Sequence, residues 1–187
     1  MNLITPIDRI WNKLILKRKA VVYGQNLQLN GRLHIHGVKN AITIGDNCII
    51  TSDADYNPTA GGAHSHLSVW KDGRLIIGNN VGMSLVCITA SKQITIEDNV
   101  MIGANTKIWD TDFHPITYEN RRMNERPQSS PVLIREGAFI GACSIILKGV
   151  TIGKHSVIGA GSVVTHSVPD GEVWAGNPAR FIKRIEE

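Results

Sequence analysis

The sequence predicts an all-β fold, a parallel β-helix of hexapeptide repeats, and three observations carry the prediction. Aliphatic residues recur at every sixth position between Val132 and Val164, which a helix of 3.6 residues per turn cannot keep on one face. Four positions after each of the first five aliphatic residues of this series comes a small or β-branched residue. Glycine is plentiful, at 18 residues, and aromatic residues make up only 5%, which favours short strands and turns. The aliphatic series is Ile134, Ile140, Ile146, Ile152, Ile158 and Val164.

Each repeat is expected to supply one short strand and one turn. The aliphatic residue and the residue two positions before it point inward, because alternate strand residues share a face. The Gly, Asn and Asp residues that follow take the turn, where a positive φ is often needed. Three repeats close one triangular coil, and stacked coils bury a continuous core.

A helix is predicted ahead of the repeats, over residues 3–19. Thr5 is suited to cap it and Pro6 to occupy its first turn. We therefore divide the chain into an N-terminal helix at 1–20 and a β-helix domain at 21–187. Two interpretations of the helix remain open: it packs on the domain's end or on a neighbouring subunit, or it rests as a basic amphipathic helix on a membrane surface.

Strand-like alternation starts at Val21, and two stretches interrupt the repeats. The first, Thr51–His66, contains Pro58 and Gly61-Gly62 and is predicted to be a loop. The second, residues 109–131, is polar, contains three prolines and is predicted to be an extended loop. Repeats are recognised between them and upstream at Ile44–Ile50, Ile77–Met83 and Ile96–Ile108.

The charge balance excludes some partners and favours others. The chain carries 20 basic and 16 acidic residues, a net charge of +4. This mild basicity fits phosphorylated ligands or an anionic membrane, and is too diffuse for nucleic acid. The three cysteines are far apart and form no CxxC, so we expect them to be reduced. With no signal-peptide order at the N-terminus and no apolar run of about 18 residues, we expect a cytoplasmic protein.

Two motifs outside the repeats resemble a known family. They are DTDFHP at residues 110–115 and WAGNPAR at residues 174–180. Together with the repeats, they resemble the hexapeptide-repeat acyltransferases, above all the maltose and galactoside acetyltransferases and the O-acetyltransferases of surface polysaccharide synthesis. The resemblance implies a left-handed parallel β-helix, a homotrimer, and acetyl-CoA bound in the groove between neighbouring subunits.

His114 is the candidate general base. It lies in the longer interruption, where a side chain can leave the solenoid and reach a ligand. The resemblance implies that this histidine removes a proton from an acceptor hydroxyl, which then attacks the thioester of acetyl-CoA. A neutral alcohol is a poor nucleophile, so the reaction needs such a group. Asp110 and Asp112 precede it by four and two residues. We expect Asp112 to orient the imidazole; the alternative role of both carboxylates is in loop turns.

The resemblance also implies a set of CoA contacts. Phe139 would pack on the pantetheine arm, or serve simple surface packing. Arg180 would meet the 3′-phosphate of the adenosine, for which a guanidinium fork is suited. His166 stands where the family has lysine, so charge on the CoA phosphates is less assured there. The remaining contacts are the small residues at successive corners, Gly141, Ala142, Gly159 and Ala160, and Thr165.

The acceptor side departs from the family pattern. Sugar acetyltransferases carry an asparagine about thirty residues before the histidine, where this chain has no asparagine and Ser84 is the nearest polar candidate. A polysaccharide precursor, or a nucleotide- or lipid-linked sugar, is therefore favoured over a simple galactoside. Trp109 would stack on a sugar ring or anchor the loop. Arg121 would meet an acidic sugar or a diphosphate, or be a solvated loop residue.

Two other functional classes stay open. Hexapeptide solenoids include metal-dependent carbonic anhydrases, and the HxH pairs at residues 34–36 and 64–66 each place two imidazoles on one strand face. A non-catalytic scaffold is the second alternative, which the DTDFHP and WAGNPAR motifs disfavour. The favoured prediction is an acetyl-CoA-dependent O-acetyltransferase that transfers directly to a sugar hydroxyl and requires no metal.

Overall fold

A computed structural model describes residues 5–57, 64–70 and 72–186. Pro58 and Gly61-Gly62 of the first predicted loop lie outside these residues. The described chain begins with helix α1 (Pro6–Lys19), and a second helix, α2 (Tyr118–Arg122), lies within the longer interruption. Between and after them run the strands β1 (Val22–Tyr23), β2 (Gln28–Asn30), β3 (His34–Gly37), β4 (Ile42–Ile44), β5 (Ile49–Thr51), β6 (His66–Val69), β7 (Leu75–Ile77), β8 (Gly82–Ser84), β9 (Cys87–Ala90), β10 (Ile94–Ile96), β11 (Met101–Ile102), β12 (Lys107–Trp109), β13 (Val132–Ile134), β14 (Phe139–Ile140), β15 (Ile145–Ile146), β16 (Thr151–Ile152), β17 (Val157–Ile158), β18 (Val163–Val164), β19 (Glu172–Ala175) and β20 (Arg180–Arg184).

The strands form three sheets in which each strand up to β18 pairs with those three places before and after it, and β19 and β20 close sheet B. Sheet A runs in the order β1-β4-β7-β10-β13-β16, and sheet C in the order β3-β6-β9-β12-β15-β18. Sheet B runs β2-β5-β8-β11-β14-β17-β19-β20. All pairs are parallel except the closing hairpin of β19 and β20. The predicted left-handed parallel β-helix is confirmed. We call its three corners the A–B, B–C and C–A edges, after the sheets that each set of turns joins.

The core consists of the two inward positions that the repeat predicts. Ile140 and Ala138 are both fully buried, as are Ile146 and Ser144. The buried hydroxyl of Ser144 donates to the carbonyl of Gly159 at 3.2 Å, so the polar inward positions are satisfied within the coil. The prediction of a continuous aliphatic core is therefore confirmed.

The A–B edge shows why asparagine recurs in the turns. Asn26, Asn47, Asn80 and Asn99 have φ between 56° and 61°, a region that asparagine enters more readily than most residues. Their side chains are stacked, and each amide donates to the next one along, as in the 2.9 Å bond from Asn26 Nδ2 to Asn47 Oδ1. The ladder fixes the register of the first four coils at this edge.

Helix α1 packs across the open end of the solenoid. The Thr5 hydroxyl accepts from the Asp8 amide, which confirms the predicted cap. Asn12 is buried and binds Gly31 and Leu33 through its amide, while Trp11 Nε1 donates to the Leu33 carbonyl at 3.0 Å. The predicted packing on the domain's end is therefore confirmed. Among the described residues, no helix has the length and apolar character needed to cross a membrane.

Candidate functional site

The interruption at residues 109–131 leaves the solenoid at the C–A edge, between β12 and β13. Its two arms are joined at the base, where Thr111 and Ser129 form an antiparallel bridge and the Asp112 amide donates to the Gln128 carbonyl at 3.0 Å. Helix α2 lies at its outer part, although the sequence predicts only an irregular loop here. A helix of five residues is too short to give a periodic signal. We call residues 110–131 the excursion.

Asp110 fixes the base of the excursion to the previous coil. Its side chain is fully buried, and its two oxygens accept backbone N–H bonds from Ser91, Lys92 and Gln93 at 2.6–2.7 Å. A carboxylate that accepts several amide bonds is a strong local anchor. Asp110 therefore holds a turn of the neighbouring coil, and its two carboxylate oxygens accept from these backbone amides.

The chain reverses sharply at Phe113, immediately before the candidate base. The His114 amide donates to the Asp112 carbonyl at 2.7 Å, which makes a three-residue γ-turn centred on Phe113 with φ of 62°. This conformation is strained for a bulky residue, and such strain is sustained only when the surroundings impose it. The Phe113 ring provides that constraint, since it contacts Trp109 and Trp70 edge-on at centroid distances of 5.5 and 5.7 Å.

This turn presents His114 on the surface. The histidine is exposed at the C–A edge, on a backbone that the bridge, Asp110 and the aromatic contacts hold. Asp112 pairs with Lys148, 3.0 Å from its Oδ1. Its Oδ2 is buried and has no hydrogen-bond partner in the described part of the chain. The contact of Asp112 with His114 runs through the backbone, and the expected orientation of the imidazole by this carboxylate stays a prediction.

The other loop residues of the predicted acceptor site serve the excursion itself. Arg121 donates from Nη1 to the carbonyls of Pro115 and Ile116 and so ties α2 to the segment after His114. Trp109 is half-buried against Phe113. Their predicted contacts with an acceptor stay predictions. Large apolar side chains around α2 are strongly exposed: Ile116 at 71%, Tyr118 at 65% and Met123 at 67%.

The small residues predicted for CoA line the B–C edge. The Gly141 amide donates to the Ile158 carbonyl at 2.7 Å, which stacks its corner on that of Gly159 and Ala160. A Cβ on Gly141 would lie 2.5 Å from the Ala160 nitrogen, so the close approach requires glycine. Ala142 is half-buried and Ala160 is exposed. The predicted alignment of these corners is confirmed, and their contact with CoA stays a prediction.

Phe139 lies beside this strip on the outer face of sheet B. It pairs with Met101 in the register of β14 and β11, and the two side chains are 43% and 61% exposed. Ser84 lies on the same face, in a pocket of about 290 Å³ that Phe139 and Met101 also line. Ser84 and Phe139 are therefore brought together, although the sequence assigns them to different substrates.

The residues predicted to contact the CoA phosphates lie at two different places on the chain. Arg180 is exposed on β20, where it pairs with Ala175. The Cβ of Ala175 lies 2.8 Å from the position that a Cβ on Gly159 would occupy. Arg180 therefore lies next to the small residues of this edge. Thr165 and His166 come after the last strand of sheet C instead, and the Thr165 hydroxyl and His166 Nδ1 are 2.8 Å apart. We call the surface of Phe139, Gly141, Ala142, Gly159, Ala160 and Arg180 the B–C strip.

The sequence alone does not predict one cleft that lies near the excursion. It has a volume of about 420 Å³ and is lined by Trp70, Asp72, Ser91, Lys92, Arg126, Pro127 and Ser129. Trp70 contacts Phe113, the residue before His114, so the cleft adjoins the turn that carries the candidate base. Its lining comes from three parts of the chain that only the coiling of the solenoid brings together, and no local pattern marks it.

The histidines of the two HxH pairs meet on sheet C. His34 pairs with His66 in the register of β3 and β6, and ring nitrogens of His34, His36 and His66 all lie within 4.8 Å of one another. His64 is set apart because its Nδ1 is 2.7 Å from the Ser52 carbonyl. Burial, followed by the neighbouring imidazoles, lowers the pKa of His34 and of His66 below the ordinary histidine value.

The described residues thus hold two sets of candidate groups on different edges of one chain. His114, Asp112, Trp109 and Arg121 lie at the C–A edge. The B–C strip lies at the next corner of the triangle, with sheet C between the two. One chain by itself does not bring the base to the strip.

Comparison with known proteins agrees with this architecture. The family described as "Bacterial transferase hexapeptide (six repeats)" matches residues 131–166, and "Hexapeptide repeat of succinyl-transferase" matches residues 93–108. A galactoside O-acetyltransferase of Lactococcus lactis is 35% identical over 144 residues, which cover 77% of this chain and 63% of the relative. The chain thus spans less than two thirds of that relative's length.

Solved structures share the fold across nearly the whole chain. A variant of AntD, an N-acyltransferase from Bacillus cereus in complex with dTDP-4-amino-4,6-dideoxyglucose and coenzyme A, superposes with a TM-score of 0.72 at 21% identity, covering 94% of this chain and 89% of that one. The hexapeptide-repeat acetyltransferase VCA0836 from Vibrio cholerae superposes with a TM-score of 0.65 at 24% identity, covering 98% and 84%. At these identities the likeness concerns the fold.

Proposed function

Because the chain belongs to the hexapeptide-repeat transferase family, we propose that it transfers an acetyl group from acetyl-CoA to a sugar, with His114 as general base. One observation carries the proposal: an exposed imidazole stands on a strained, well-anchored γ-turn, and the Phe113 ring at the centre of that turn contacts Trp70 in the lining of a cleft. A rigid backbone serves catalysis because the position of a base relative to its substrate determines its effectiveness. The relative that is 35% identical is a galactoside O-acetyltransferase, which supports a hydroxyl acceptor.

The transfer is direct. His114 accepts the proton of the acceptor hydroxyl while the hydroxyl oxygen attacks the carbonyl carbon of the thioester. The tetrahedral intermediate collapses, the carbon–sulfur bond breaks, and the sulfur of CoA leaves with the proton returned by the imidazolium. The products are an acetyl ester and free CoA thiol, and no covalent enzyme intermediate forms.

Asp112 is proposed to support the imidazole through its buried Oδ2. That oxygen has no hydrogen-bond partner within the described residues, while Oδ1 is held by Lys148. A rotation of the exposed His114 ring toward Oδ2 would satisfy an acceptor that is costly to leave unpaired. Asp112→Asn should lower kcat and change its pH profile; unchanged values of both would refute the role.

We propose that the active site lies between subunits of a homotrimer. The B–C strip of one subunit would face the excursion of its neighbour, which accounts for their separation within one chain. The exposed Ile116, Tyr118 and Met123 on the excursion suit burial against another copy. In this arrangement the pantetheine arm follows Gly141, Ala142, Gly159 and Ala160, with Phe139 beside it. Arg180 would contact the phosphates, and Thr165 and His166, which follow sheet C, would contribute less directly.

The acceptor is proposed to be a sugar unit of surface polysaccharide synthesis, presented on a nucleotide or lipid carrier in the cytoplasm. Trp70 offers the cleft an aromatic surface for a sugar ring, and Asp72 offers hydrogen-bond acceptors for its hydroxyls. Lys92 and Arg126 in the same lining suit a diphosphate or an acidic sugar. Ser84 would reach the acceptor from the neighbouring subunit, and Arg121 would add charge at the excursion.

The outer face of α1 fits the predicted contact with an anionic membrane. Ile7, Ile10 and Leu14 are each more than 60% exposed, and basic residues dominate the helix, including Lys17, Arg18 and Lys19 in its last turn. Apolar area and basic charge together strengthen such contacts. Cosedimentation with vesicles containing anionic lipid should fall when Ile10 and Leu14 are both changed to Ser. Equal binding by the two proteins would remove this role.

The decisive experiment measures CoA thiol release with a panel of sugars and nucleotide sugars. The panel should contain pairs that differ only in carrying a hydroxyl or an amine at one carbon, which separates O- from N-transfer. With the preferred acceptor, His114→Gln should reduce kcat/KM by ~10²–10⁴-fold. His155→Asn is the matched control, since His155 has φ of 55° at a distant corner and asparagine tolerates that conformation. No release with any acceptor, or equal release by His114→Gln, would contradict the proposal.

A further inference from the structure

The strongest cluster of unassigned groups is the set of three imidazoles on the outer face of the first coils. His34 and His36 alternate with the buried Ile35 on β3, and His66 pairs with His34 from β6. We define His34, His36 and His66 as the histidine cluster. Its rings are stacked: those of His34 and His66 are 4.9 Å apart at 23°, and those of His36 and His66 are 5.6 Å apart at 9°.

We propose that the histidine cluster binds one divalent transition-metal ion, with Zn²⁺ as the expected occupant. Ring nitrogens of the three side chains lie within 4.8 Å of one another. His66 Nδ1 and His36 Nε2 are 3.4 Å apart. Two imidazole nitrogens on a tetrahedral Zn²⁺, each bonded at 2.0–2.1 Å, would be about 3.3 Å apart. The distance between the His66 and His36 nitrogens is thus already close to the value that one ion requires, and binding would turn the stacked rings so that their nitrogens face the same point.

The chemistry of the donors selects the class of ion. Three imidazole nitrogens suit Zn²⁺, Ni²⁺ or Cu²⁺, whereas Mg²⁺ and Ca²⁺ favour oxygen ligands. Three protein ligands leave at least one position of the ion for water or a fourth group. His64 is not part of the set, since its Nδ1 is turned to the Ser52 carbonyl, although its ring is 5.1 Å from that of His34.

The position of the cluster indicates a structural role. β3 is the terminal strand of sheet C among the described residues, so no described strand pairs with its outer edge. The ion would join β3 to β6 across the segment between residues 37 and 66, which contains the first predicted loop. It would also lie beside α1, whose Trp11 ring is 5.7 Å from that of His34. The ion would therefore secure the first coils, at a site separate from His114.

The test uses the full chain without a histidine tag, freed of metal by dialysis against a chelator. Isothermal titration with ZnCl₂ should give about one ion per chain. The double variant His36→Gln, His66→Gln should weaken binding more than about tenfold. Loss of a residue that only hydrogen-bonds a metal ligand already weakens a site by about that factor, and here two ligands are lost. His155→Asn is the control and should bind like the wild type. At a hundredfold excess over Kd, Zn²⁺ should raise the unfolding midpoint of wild type by roughly 5–10 °C.

The outcomes separate clearly. Unchanged binding in the double variant would place the ion elsewhere and overturn the proposal, as would a metal-free wild type that takes up no Zn²⁺ in the micromolar range. Circular dichroism of the double variant without metal should match wild type, which excludes misfolding as the cause of lost binding. Acyl transfer is not the readout, so failure of the proposed function would leave this result unaffected.

Discussion

The repeat array from Val132 to Val164 and the excursion that precedes it are adjacent in sequence but are stabilised by different interactions. The array is held by inward aliphatic side chains, such as Ile140, that are fully buried. The excursion is held by a few polar and aromatic contacts, namely the amide bonds of Asp110, the Thr111–Ser129 bridge and the Phe113 ring. Changes in the array should therefore affect stability first, and changes in the excursion should affect catalysis first.

The largest effect on stability is expected at Ile140. Ile140→Ala removes a fully buried side chain and leaves a cavity between stacked coils, at a cost of ~2–5 kcal/mol in the free energy of unfolding. Chemical denaturation at one fixed protein concentration measures it. Ile76→Ala is the matched control, because Ile76 points outward and is 39% exposed. If both variants lose the same stability, the core is not held by its inward positions.

A smaller loss of stability but a clear loss of activity is expected at Asp110. Asp110→Asn removes the charge that accepts three backbone amides, and hydrogen bonds to charged groups contribute ~1.5–3 kcal/mol. The base of the excursion should loosen, so kcat should fall even though His114 itself is unchanged. Asp170→Asn, in a surface ion pair with Arg135, should leave kcat unchanged. Full activity in Asp110→Asn would show that the excursion does not depend on this anchor.

The smallest effect is expected at Arg121. Arg121→Ala removes the two bonds to the Pro115 and Ile116 carbonyls, which lie at the surface, so the unfolding free energy should change by about 0.5–1.5 kcal/mol at most. An increase in KM for the acceptor beyond that of Arg122→Ala, its neighbour on α2, would support a direct contact with substrate. Equal KM values in the two variants would limit Arg121 to holding the loop.

The contrast between the two regions also explains what the sequence could reveal. The inward positions repeat every six residues, so their burial and the three-sheet coil follow from the period alone. Asp110 binds amides 17 to 19 residues earlier, a partner set that depends on how coils stack. The γ-turn at Phe113 has no glycine to mark it. These contacts arise from tertiary structure, which no local pattern encodes.

The histidines show the same limit. Each HxH pair is visible in the sequence as two imidazoles on one strand face. Only the register of β3 and β6 joins His34 and His36 to His66, and it leaves His64 aside. Likewise, His114 and the small residues of the B–C strip can be predicted from the sequence. Their location on different edges depends on which pair of sheets each turn joins.

The central claim, that His114 of one subunit serves the B–C strip of another, is tested most directly by complementation. His114→Gln lacks the base, and Ala160→Trp fills the exposed strip; each homotrimer should be inactive. Trimers assembled from an equal mixture of the two chains should recover about a quarter of wild-type CoA release, since that fraction of interfaces combines an intact base with an intact strip. Absence of any recovery, with mixed trimers demonstrated by differently tagged chains, would contradict the account.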